Sequence, residues 1–127
     1  MIEVKFRALF GSFSCITELL ECGSTGIYPV VLPTKVALPA LVYSFIGATT
    51  NPTWDTAGFT RYRVEINCFA DTYRKAATLR SAVVIALNGY VDGNMAIESL
   101  HPIDFYDHEL NLYRCLQEFY VSSVLQV

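Results

Sequence analysis

The side chains best suited to catalysis or metal binding gather in one stretch: His101 and His108, the only histidines, beside Asp104, Asp107 and Glu109. Imidazole and carboxylate together suit several divalent ions. A solvated turn between two strands accounts for the same residues, and ligand spacing of this kind often arises by chance. No metal site is assigned. Nucleophilic catalysis needs Ser or Cys with a base and an orienting group. There is no GxSxG, and Cys15, Cys22, Cys68 and Cys115 lie in apolar segments or beside helix ends, with no CxxC among them. Gly23 and Gly26 lack both the Lys-Ser/Thr that follows a phosphate loop and the GxGxxG spacing. The expectation is a chain with no catalytic residues and no cofactor.

Residues suited to binding other proteins are easier to find. Arg61 and Arg63 alternate on the outward face of a strand, with Glu65 two residues further on. They fit an inter-subunit salt-bridge network or the wall of a channel, and equally the wet side of a half-exposed sheet. Trp54, the sole tryptophan, stands beside Asp55 in a polar loop over 48–58. There it is placed to anchor an interface or to fold back on its own sheet. Trp54, Asp55, Arg61, Arg63, Asp104, Asp107 and Glu109 are the candidate protein-interface residues.

These residues must be held by one domain, since 127 residues leave no room for two. Charged residues make up 17% of the chain and apolar ones 53%, with a mean hydropathy of +0.35. A typical soluble domain carries about 25% charged residues. The deficit predicts surface buried against partners. Net charge is −3, and the nine basic residues are scattered, so the stripe that neutralises nucleic-acid phosphates is missing. The first residues lack the basic-then-apolar order of a secretion signal, and no apolar run approaches the roughly 20 residues that span a bilayer. Synthesis in a reducing cytoplasm and no membrane partner are expected.

Periodicity supplies the elements. Ile2, Phe6, Leu9 and Phe13 share one face of an amphipathic helix. Ser14 is placed to cap a second short helix through Leu20, and Gly23 to end it. Residues 27–33, marked by Pro29 and Pro33, read as an extended segment or edge. Ala40–Ile46 reads as an apolar strand. Residues 60–70 alternate Tyr62, Val64, Ile66, Cys68 and Ala70 against Arg61, Arg63, Glu65 and Asn67, a strand with a core side and a wet side. Asp71 or Thr72 caps a helix over 72–88, with a stripe of Ala76, Leu79, Val83, Ala86 and Leu87, stopped by Asn88-Gly89. A strand over 95–106 is interrupted or ended near His101-Pro102. Asp104–Asn111 turns the chain into a last strand over 112–125, whose second face is mixed. The fold class is α+β: an N-terminal helix, then ββαββ, one mostly antiparallel or mixed four-stranded sheet with helices on one face.

The order of these pieces resembles the tail-completion and tail-terminator proteins that join head to tail in long-tailed bacteriophages. The resemblance lies in the amphipathic N-terminal helix and Ile27-Tyr28-Pro29, then Leu38-Pro39-Ala40-Leu41-Val42-Tyr43. It continues in Arg63-Val64-Glu65-Ile66-Asn67-Cys68-Phe69-Ala70 with Thr72-Tyr73, and in Leu112-Tyr113-Arg114. It spans nearly the whole chain and departs at Gln117, where an apolar residue is more usual, and in the ending Leu125-Gln126-Val127. It implies a structural virion protein forming a homo-oligomeric ring, a hexamer, at the head-proximal end of the tail. Such a ring caps the tail tube, meets the head connector and neck proteins, and lets DNA pass without binding it specifically. Loops 48–58 and 104–111 are then the natural axial contacts. The alternatives are a tail-tube or other virion subunit, and a cytosolic small-ligand-binding α+β domain.

Overall fold

The computed structural model describes residues 2–20, 26–30, 32, 37–51, 59–91, 95–109 and 111–124. Two helices, α1 (Ile2–Gly11) and α2 (Ser14–Thr17), precede β1 (Ile27–Pro29), β2 (Ala40–Asn51) and β3 (Phe59–Ala70). Helix α3 (Tyr73–Leu87) then leads to β4 (Met95–Asp107) and β5 (Leu112–Val124).

The sheet has five strands in the order β1-β2-β3-β5-β4, not four. The extra strand is the proline-marked segment, whose three residues pair parallel with Leu41–Tyr43. Pro29 can sit there because it occupies the edge, where its missing N–H breaks no ladder. Val30, with φ 66°, then turns the chain out of the strand. All other pairings are antiparallel. β3 and β4 run the same way with β5 between them, and α3 makes the crossover.

Burial follows the alternation. Val64, Ile66, Cys68 and Ala70 of β3 are fully buried, and on β5 Phe119 lies across from Val64, Cys115 across from Cys68, and Val121 across from Tyr62. Ala76, Leu79, Val83 and Leu87 of α3 press onto this face, with Ala86 only partly covered. Helix α1 covers the β2 end through Phe6 and Phe10, both fully buried. Phe6 meets Phe45 edge to face at 5.7 Å, and Phe13 meets Tyr90 at 6.1 Å. Phe10 stands one helical turn from Phe6 and Phe13, so the buried stripe is broader than the periodicity alone indicated.

Helix α2 differs from expectation, ending at Thr17 and not at Leu20, while α3 is capped as expected. Phe13, not Ser14, is the N-cap of α2, and no side chain caps it. At α3 the cap is Thr72, whose hydroxyl accepts from the Lys75 amide at 3.3 Å. Gly89 takes φ +79° after the C-cap Asn88, a conformation that suits glycine because it has no Cβ.

Of the two outcomes expected near His101-Pro102, strand β4 shows the interruption and not the ending. A bulge between Ser99 and Pro102 absorbs the proline, and pairing resumes from Pro102 to Asp107. Gln117 explains how. It lies on the core side opposite Pro102, and its Nε2 donates to the Leu100 carbonyl at 3.1 Å. A polar residue stands on the core side here because the bulge leaves a carbonyl to satisfy.

Candidate functional site

All three helices pack on one face of the sheet, and no described helix packs on the other. The register places Val42, Asn67, Leu116 and Ile103 in one row across that second face, and Phe69, Arg114 and Phe105 in the next, with Val42, Asn67, Leu116 and Phe69 buried. Further up lie Ser44, Glu65 and Glu118, then Arg63 and Tyr120. Glu65 and Glu118 stand directly opposite each other, a like-charge pairing that needs a cation nearby.

Arg63 supplies it. Its Nη2 and Nε donate to Glu118 Oε2 at 2.5 and 3.1 Å, and the Glu118 side chain is only 11% exposed. This hydrogen bond and the charge of Glu118 raise the Arg63 pKa above its ordinary value. Arg61 lies over the Tyr120 ring at 5.0 Å, and Arg114 over Phe105 at 4.4 Å. The arginine pair is thus engaged within its own chain, though about half of the Arg63 side chain stays open to solvent. Oδ1 of Asn67 and Nε of Arg114 are buried and find no hydrogen-bond partner among the described residues.

The acidic candidates separate. Asp104 lies on β4, not in a turn, and it points to the helix side: Tyr73 Oη donates to its Oδ2 at 2.7 Å, and Arg80 Nη1 bonds its Oδ1. Those bonds, the tyrosine's first, hold the carboxyl below its ordinary pKa against a smaller opposing cost of burial. Asp107 ends β4 and accepts from the Glu109 amide at 3.0 Å, fixing the turn into β5. The axial loop expected over 104–111 is therefore shorter, confined to the turn after Asp107. His108 packs its ring edge against Tyr106 at 5.0 Å, and His101 is exposed on the bulge. Among the described residues no three His, Cys, Asp or Glu side chains converge as a metal site needs. Trp54 and Asp55 lie outside the described residues, as do Cys22 and Gly23.

Cys68 and Cys115 face each other across β3 and β5 as free, buried thiols. Burial pushes the Cys115 thiol up to about 11 and Cys68 higher still, so both stay protonated and unreactive at neutral pH. A cleft of about 390 Å³ opens between α2, the start of β2 and α3, lined by Glu18, Leu19, Pro39, Arg74 and Lys75. It holds no convergent acid–base pair.

Sequence reasoning missed the exposed apolar residues Ile46, Ile103, Phe105 and Tyr106, each between 40% and 47% open. The mixed second face of β5 pointed toward that region without naming them. No described helix is long and apolar enough to cross a membrane.

No family model matches this chain, and no curated protein matches it. Among solved structures it is similar to a chain from the virion of a native gene transfer agent particle. The TM-score is 0.69 at 15% identity, over 93% of this chain and 90% of that one. At that identity the likeness is one of fold.

Proposed function

We propose that this chain is a structural subunit of a phage-like virion, which works by binding and not by catalysis. The observation that carries the reading is the shared fold with a virion chain over almost the full length of both. The order of motifs from the N-terminal helix to Leu112-Tyr113-Arg114 supports it independently. So does the low charge, since a subunit that loses surface to neighbours needs fewer solvated groups.

Within that class, the role proposed is to end the tail tube and join it to the head connector as a ring of identical copies, six by the resemblance. A heterologous contact whose rotation closes yields a ring, and a closed ring stops growth. Solution mass and negative-stain imaging, with and without purified tail tubes, test this. One ring at one end of each tube is the expected result. Open stacks would make the chain a tube subunit instead, and a lone monomer indifferent to tubes that binds a metabolite would overturn the virion reading.

A further inference from the structure

The geometry points to the lateral joint between copies: the open half of β4 in one subunit pairs, antiparallel, with the free edge of β2 in the next. The inference rests on the ring reading and names the contact that would build it.

A sheet edge is a row of unmet N–H and C=O groups, and proteins normally close it. This one closes half of β4. The Ile97 amide donates to the Tyr90 carbonyl at 2.8 Å, the Gly89 amide donates to the Ile97 carbonyl at 2.9 Å, and the Ser99 amide donates to Asn88 Oδ1 at 3.1 Å. The backbone of Ile97 and Ser99 therefore points away from β5. Pairing of 97 with 121, 99 with 119, 102 with 117, 104 with 115 and 106 with 113 carries that direction past the bulge. The N–H and C=O of Asp104 and Tyr106 must then point outward as well, while Ile103 and Phe105 bond to β5. Among the described residues nothing pairs with Pro102–Tyr106 on that side.

The opposite edge is open in the same way. β1 pairs with β2 only at Leu41–Tyr43, where the Val30 amide donates to the Tyr43 carbonyl at 2.8 Å. Alternation from Tyr43 turns the backbone of Phe45 outward, and the bulge before Gly47 passes the outward positions to Ala48 and Thr50. Among the described residues nothing pairs with them there.

Three features make a second copy the occupant. The two open stretches lie on opposite edges of one sheet, so each copy offers one of each and the joint repeats head to tail. β2 and β4 run in opposite directions within the sheet, so copies side by side meet in the antiparallel pattern, the more stable one per residue. Both stretches are about 20 Å long at about 3.4 Å per residue, and both border exposed apolar side chains, Ile46 on one and Ile103 and Phe105 on the other. The stretches lie at different heights on the sheet, so the strands must tilt to the ring axis, as closed sheets require.

Proline at position 106 tests the joint. Tyr106→Pro removes an outward donor and leaves the bonds of Ile103 and Phe105 to β5 in place. Tyr106→Ala loses the ring contacts with Tyr113 and His108 but keeps the donor. In light scattering over a concentration series, the wild type and Tyr106→Ala should form the ring, and Tyr106→Pro should stay monomeric with an unchanged circular dichroism spectrum. Amide exchange of the wild type is the second reading, valid even if the proline variant does not fold. Asp104 and Tyr106 should exchange at least about tenfold more slowly in the ring than in the dilute monomer. A ring that Tyr106→Pro still forms, or in which those amides exchange as in the monomer, overturns the joint and leaves the ring reading intact. A wild type that forms no ring at any concentration or on tubes overturns both.

Discussion

Asp104 shows how a residue chosen for its chemistry can turn out to hold the scaffold. Its carboxylate bridges Tyr73 at the start of α3 and Arg80 two turns on, tying the helix to the outermost strand. Because its pKa is depressed in the folded protein, its contribution is fully present above the ordinary value near 3.8 and is lost as pH falls through the folded value. Asp104→Asn should cost about 0.5–1 kcal/mol at neutral pH, the scale of a partly exposed ion pair. The deficit should shrink below about pH 4 and vanish once the wild-type carboxyl is protonated. Parallel urea-unfolding curves for the two proteins across the acid limb would remove the pair from the stability account. The same bond seen from Tyr73 raises the phenol's pKa, so its share fades only as pH climbs through and above 10.

At the scale of elements, legibility in the sequence tracked how local the cause was. Strand β3 and helix α3 each carry their own period and caps, and both formed within a residue or two of expectation. The parallel pairing of β1 was hidden because three residues flanked by proline contain no period, and only contact with β2 makes them a strand. At Pro102 the sequence left β4 open between an interruption and an end, for a related reason, and the interruption is what formed. A proline argues against a strand only where its ladder bond is needed, and here a bulge on an edge excuses it. The candidate site was legible as chemistry and not as place: Arg63 and Glu118 are 55 residues apart, and Asp104 and Arg80 are 24 apart, so their partners depend on strand order. Gln117 gives the element-scale test. Gln117→Leu puts an apolar side chain on the core side but leaves the part-buried Leu100 carbonyl at the bulge without its donor, and a buried unmet acceptor costs about 1–3 kcal/mol. Chemical denaturation should therefore find the leucine variant less stable despite its greater hydrophobicity. A neutral or stabilising result would mean that solvent already serves that carbonyl.

For the whole molecule, the question is what kind of force would hold copies together in the proposed ring. Two lateral contacts of ordinary size, each covering about 800 Å² per partner, would remove about a fifth of the 7272 Å² of accessible surface. Two mechanisms compete for that area. A salt-bridge network through Arg61 and Arg63 would weaken steeply with salt, because exposed charges are screened within about 10 Å at 0.1 M and about 3 Å at 1 M. The structure has already committed Arg63 to Glu118 and set Arg61 over Tyr120 within one subunit, which leaves the network little to offer. Backbone pairing beside Ile46, Ile103 and Phe105 has no such dependence, and sulfate strengthens burial of that kind. Sedimentation equilibrium between about 0.1 and about 1 M sodium chloride should thus give an association constant that changes less than about threefold, with sodium sulfate raising it. A fall of a hundredfold or more over that range would return the joint to the arginines, because only screened charges weaken so steeply in sodium chloride.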